Sequence, residues 1–92
     1  MAYSISDFRA LVRTKNYVVS FHAAEELEDD NLTIVDLESI VLTGEIVERQ
    51  KDLQTEEGKY IVNGKALDGR EAETALKVGF TGKLIFITVY VL

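Results

Sequence analysis

The sequence predicts an α+β domain, with two or three N-terminal helices packed on one face of a three- to five-stranded antiparallel sheet. Three observations carry this reading. Helical spacing of apolar residues, with capping side chains, stops at Gly44. Beyond it, alternating residues and short glycine-bearing turns run to the end of the chain. Apolar residues make up 47% of the 92, enough for one modest core. No proline, repeat or low-complexity linker divides the chain, so residues 1–92 read as a single domain. Helices and strands segregated in this way define the α+β class.

Taken in order, Ser6 is positioned to cap a first helix, with Asp7 in its first turn and Phe8, Leu11 and Val12 on one side. That helix is expected to end near Lys15-Asn16. Tyr17 to Phe21 is β-prone and reads as a brief strand or an extended link. His22 to Asp30 favours helix, with Ala23, Ala24 and Leu27 as a thin apolar side. Thr33 caps a third helix with the stripe Ile34, Leu37, Ile40 and Val41, and Gly44 ends it. The second and third helices read as a tight helical hairpin.

The strands follow. Glu45 to Gln50 is the first, then a polar loop from Lys51 to Gly58. Lys59 to Leu67 is the second, interrupted at Asn63-Gly64, and Asp68-Gly69 is a hairpin turn signal. Glu71 to Phe80 alternates, with Ala72, Thr74, Leu76, Val78 and Phe80 on one face and Glu71, Glu73, Ala75 and Lys77 on the other. Thr81-Gly82-Lys83 turns into Leu84 to Leu92. This last strand is apolar on both faces, which places it inside the sheet. Helices cover one face only, so the other, carrying Glu73, Lys77, Thr88 and Tyr90, is expected to be partly open.

Composition removes whole classes of chemistry. Without cysteine there is no disulfide, thiolate nucleophile or cysteine-based metal site. One histidine leaves a metal site resting on carboxylates, and no glycine-rich phosphate loop, nucleophile elbow or metal-ligand spacing occurs, so no cofactor is expected. Met1 to Val12 shows no basic region followed by an apolar stretch. The longest apolar run, Leu84 to Leu92, is about half the roughly 20 residues of a membrane-spanning helix. A cytoplasmic location without membrane association is the expectation. Ten basic residues against 16 acidic give a net charge of −6, which counts against nucleic-acid binding, although a local basic patch on an acidic domain can still hold phosphate.

Four residues or groups stand out. His22, the single histidine, stands at a helix start, where it serves either as a base or substrate-holding group or as a ring that locks the helix to a backbone carbonyl. Tyr90 shares a strand face with Thr88 and is either an acid–base phenol beside Lys77 or a packing residue with a wet hydroxyl. Arg70 and Lys77, with Lys59, Lys65 and Lys83, form either a phosphate strip or solvated charge; Arg70 is the best placed for a two-pronged contact. The run Glu25-Glu26-Leu27-Glu28-Asp29-Asp30 is either a solvated helix face or a site for a divalent cation or a basic partner segment.

Three stretches in order, Ser20-Phe21-His22-Ala23 with its acidic helix, Leu42-Thr43-Gly44-Glu45-Ile46-Val47-Glu48, and Gly82-Lys83-Leu84-Ile85-Phe86-Ile87-Thr88-Val89-Tyr90, resemble the bacterial domain-of-unknown-function 4258 family. The resemblance runs from about Tyr17 to Tyr90. It implies kinship with small ribonuclease toxins of the RelE and MqsR kind, an antitoxin-type protein partner, and metal-independent RNA cleavage. On it, His22, Arg70 and Tyr90 occupy family-motif positions, with His22 and Tyr90 as acid–base residues and Arg70 on phosphate. Lys77 joins the phosphate contacts from strand geometry alone. Many members of that family carry arginines where this chain has Glu26 and Asp30, and a second histidine where it has Glu73.

Two functions follow from this. One is a toxin-like RNA endonuclease, which needs Arg70, Lys77 and Tyr90 to converge on an open face of positive potential. The other is a non-catalytic interaction module, binding a protein partner or a second copy through its acidic helix face or a sheet edge.

Overall fold

The computed structural model describes residues 3–51 and 58–92. Serine and threonine caps start all three helices among the described residues. Ser4, rather than Ser6, caps α1 (Ile5–Arg13): its hydroxyl accepts the Asp7 N–H at 3.3 Å, and the Asp7 carboxylate accepts the Ser4 N–H at 2.8 Å. The helix stops short of Lys15-Asn16 because Lys15 adopts a left-handed φ of 58° and turns the chain into β1 (Tyr17–Val19). Ser20 caps α2 (Phe21–Asp29) through the Ala23 N–H at 3.0 Å. Thr33 and Asp36 form a second reciprocal box at the head of α3 (Ile34–Thr43).

Along α3, Leu37, Ile40 and Val41 are buried as the stripe requires, whereas Ile34 is exposed. The buried side takes Asp36 and Glu38 instead, both held by hydrogen bonds. The expected hairpin of α2 and α3 does not form. Helix α2 lies against β5 (Leu84–Val91), and α3 lies over β3 (Gly58–Lys65) and against α1. Neither α2 nor α3 has a basic residue in its last turn. Arginines from elsewhere supply that charge: Arg70 donates to the carbonyls of Asp30 and Asn31, and Arg9 to those of Val41 and Gly44.

β2 (Glu45–Lys51), β3, β4 (Glu71–Val78) and β5 form the expected antiparallel meander. The sheet as a whole is mixed rather than antiparallel, because β1 pairs with β5 in parallel and sets the order β1-β5-β4-β3-β2. Two helices and three strands separate those two in sequence, so no hairpin imposes an antiparallel direction. Strand β5 has a neighbour on both sides, so it lies inside the sheet as expected. The interior of the loop expected from Lys51 to Gly58 lies outside the described residues.

Strand β3 runs unbroken through Asn63-Gly64. A methyl group on Gly64 would collide with the carbonyl of Ile40, so α3 crosses the sheet closely only because this residue has no side chain. The β3–β4 turn closes with Ala66 N–H donating to Arg70 O at 2.9 Å and Gly69 N–H to Ala66 O at 3.0 Å. Gly69 takes the positive φ, 91°, that a three-residue hairpin loop requires. Gly79 to Lys83 closes the same way, so β4 ends at Val78. Phe80, expected on the inner face of that strand, sits fully exposed on the turn.

The core lies between the helices and the inner face of the sheet. Phe8, Leu37, Ile40, Leu76, Leu84 and Phe86 are its largest fully buried side chains. Each contributes about 1.5–3 kcal/mol on burial. Phe8 stands edge-on to Tyr60 at 5.1 Å, and Tyr17 to Phe86 at 5.4 Å.

Candidate functional site

A bulge decides which way Tyr90 points. Ala75 pairs with Thr88 while Leu76 pairs with Phe86, so Ile87 is an extra residue in β5. Leu84 and Phe86 face the helices, and simple alternation would send Thr88 and Tyr90 the same way. The bulge inverts the phase instead: Val89 is fully buried and Tyr90 is 39% exposed on the open face.

There Tyr90 begins a row across the sheet. The register places Tyr90 opposite Glu73, Glu73 opposite Asn63, and Asn63 opposite Glu45. The Tyr90 hydroxyl donates to Glu73 Oε1 at 2.6 Å. Asn63 donates its amide to Glu73 Oε2 at 3.1 Å and to Glu71 at 3.4 Å. Glu48, opposite Ile61, adds another carboxylate to this end of the face, where it accepts the Gln50 amide. The hydrogen bond to Glu73, some desolvation, and the charges of Glu73 and Glu48 push the Tyr90 phenol above its ordinary pKa. A phenol held in this way is a poor base near neutral pH, and the surrounding carboxylates repel phosphate.

The other candidates lie elsewhere. Lys77 shares the open face but pairs with Ile85, four residues along β4 from Glu73, or about 13 Å. Arg70 alternates with Ala72 and turns to the helix side. Its guanidinium holds Asp68 at 2.7 Å, Asp30 O at 2.8 Å and Asn31 O at 3.2 Å. His22 is exposed on α2, with Nε2 3.4 Å from Glu26 Oε1. Tyr90 and Lys77 therefore share a face, while His22 and Arg70 engage α2 and its neighbours.

Two further arrangements escape a reading of the sequence. The acidic run on α2 is divided by role: Glu25, Glu28 and Asp29 are exposed, whereas Glu26 and Asp30 cover the edge of β5 beyond β1. Glu26 accepts the Val89 N–H at 3.1 Å and Asp30 the Val91 N–H at 3.4 Å. Ser20 adds its own hydroxyl to Ile87 O at 2.9 Å. On the helix side, Glu38 accepts from Lys15 at 2.6 Å and from the Tyr17 hydroxyl at 2.5 Å. Burial, then the bond to Glu38, pushes Tyr17 up to about 12, and its two donors hold Glu38 below the usual carboxylate range. A carboxylate between Leu37 and Val41 in an apolar stripe was the signal for that cluster.

Residues 19–91 match the family described as Domain of unknown function (DUF4258). The chain belongs to this family. No curated protein and no solved structure matches it. The DUF4258 segment takes in α2, α3 and the whole meander, so the Tyr90–Glu73 row lies within it. Lys15 and Tyr17 lie outside it, which sets the Glu38 cluster apart as an attachment of α1 and β1 to the DUF4258 core. Among the described residues no helix is long and apolar enough to cross a membrane.

Proposed function

We propose that this DUF4258 chain is a non-catalytic protein-interaction module that binds through a sheet edge and the acidic end of its open face. The observation that carries the reading is the Tyr90–Glu73 hydrogen bond of 2.6 Å, set in a row of carboxylates. An RNA-cleaving phenol needs cationic neighbours and a pKa drawn toward neutrality. This one has anionic neighbours and a raised pKa. The cation best suited to phosphate, Arg70, supports a helix terminus instead. An antitoxin-type protein remains a fitting partner for such a module, since binding one requires no catalysis.

The second reading is a RelE- or MqsR-like, metal-independent endonuclease with Tyr90 and His22 as acid and base and Arg70 and Lys77 on phosphate. The exposure of Tyr90 on an open face favours it. Purified protein incubated with RNA in chelator separates the two. The module reading expects intact RNA from folded wild-type protein. Cleavage that disappears in Tyr90→Phe would replace it with the nuclease.

A further inference from the structure

Strand β2 has a neighbour on one side only among the described residues, so its outer row of N–H and C=O groups is open to an added strand. A bulge marks it. Ile46 pairs with Val62 and Glu48 with Ile61, which leaves Val47 as the extra residue. Residues three apart in a regular strand point to opposite faces. The bulge brings Glu45 and Glu48 to the same one: Glu45 pairs with Asn63 and Glu48 with Ile61, both on the open face. All of Glu45, Val47 and Glu48 are exposed. A groove of about 250 Å³ opens beside the bulge, lined by Glu45, Val47, Asn63, Lys65 and Glu71 among others.

Resting on the module reading above, we infer that the edge of β2 takes an extended, lysine- or arginine-bearing segment of a partner protein as a sixth strand. Alternate side chains of such a strand fall on one face. Cations at two alternate positions would meet Glu45 and Glu48, with Glu71 and Glu73 behind them. The same charges oppose a second copy of this chain. A symmetric antiparallel approach around the bulge brings the two carboxylates of each copy together, and like charges directly opposite are destabilising. In that register the carboxylates favour a basic strand over a second copy.

The test uses isotope-labelled protein and a synthetic peptide of alternating lysine and threonine, with a glutamate–threonine peptide as control. The lysine peptide is expected to shift the amides of Glu45–Lys51 and to bind less tightly as salt rises. In Glu45→Lys/Glu48→Lys, both exposed positions, its affinity should fall about tenfold while the amide spectrum stays that of a folded protein. Equal binding of the glutamate peptide at β2 would overturn the basic partner and leave the edge reading standing. Shifts confined to Glu25, Glu28 and Asp29 on α2, or no binding of either peptide, would overturn the inference; the RNA assay decides the module reading independently.

Discussion

Tyr90 and Glu73 face each other across β5 and β4, joined by a hydrogen bond of 2.6 Å from phenol to carboxylate. Each accounts for the other. The Ile87 bulge brings Tyr90 to the open face, and Glu73, steadied by the Asn63 amide, supplies its acceptor.

Arg70 is a structural clamp in this account. Arg70→Ala should cost about 1–2 kcal/mol in urea denaturation, since it strips two partly exposed carbonyls of a charged donor. Arg70→Lys should recover little of this, because an ammonium cannot span both carbonyls as the planar fork does. Loss of stability within a few tenths of a kcal/mol for Arg70→Ala would contradict the clamp.

Glu26 serves the edge of β5 rather than solvent. Glu26→Ala should speed hydrogen exchange at the Val89 amide and cost about 0.5–1.5 kcal/mol. Glu25→Ala, on the exposed side of the same helix, should leave that amide unchanged.

Acid should unfold this domain through Asp36 and Glu38. Asp36 is held below its ordinary pKa first by the Thr33 N–H and then by that of Leu67; Glu38 by Lys15 and then Tyr17. A folded pKa below the unfolded one means the stabilisation is present above the unfolded value, about 4. It is lost as pH falls through the lower folded value. Melting temperature should therefore drop below about pH 4, and Asp36→Asn should flatten the drop while lowering the plateau at neutral pH.

What could be read from the chain was mostly local. Thr33 as a cap, the Gly69 and Gly82 turns and the internal position of β5 follow from side-chain chemistry within a few residues. Ser4 and Ser6 both stand close before Phe8, and only the reciprocal bond of Asp7 decides for Ser4. The parallel pairing of β1 with β5 was not legible, since a three-residue strand gains its partner from the far end of the chain. The shared phase of Thr88 and Tyr90 assigns both to the open face, but the bulge that makes this true leaves no mark in the sequence. The engagement of Arg70, Glu26 and Asp30 is tertiary throughout, so charge runs alone read as solvent-facing.

The most direct measurement is the titration of the Tyr90 ring by NMR, in wild type and in Glu73→Gln. Tyr90 should titrate above the ordinary tyrosine value of about 10 in wild type and fall toward it once the Glu73 charge is removed. A Tyr90 that titrates at or below the ordinary value, indifferent to Glu73, would contradict the carboxylate-held phenol and return this face to acid–base chemistry.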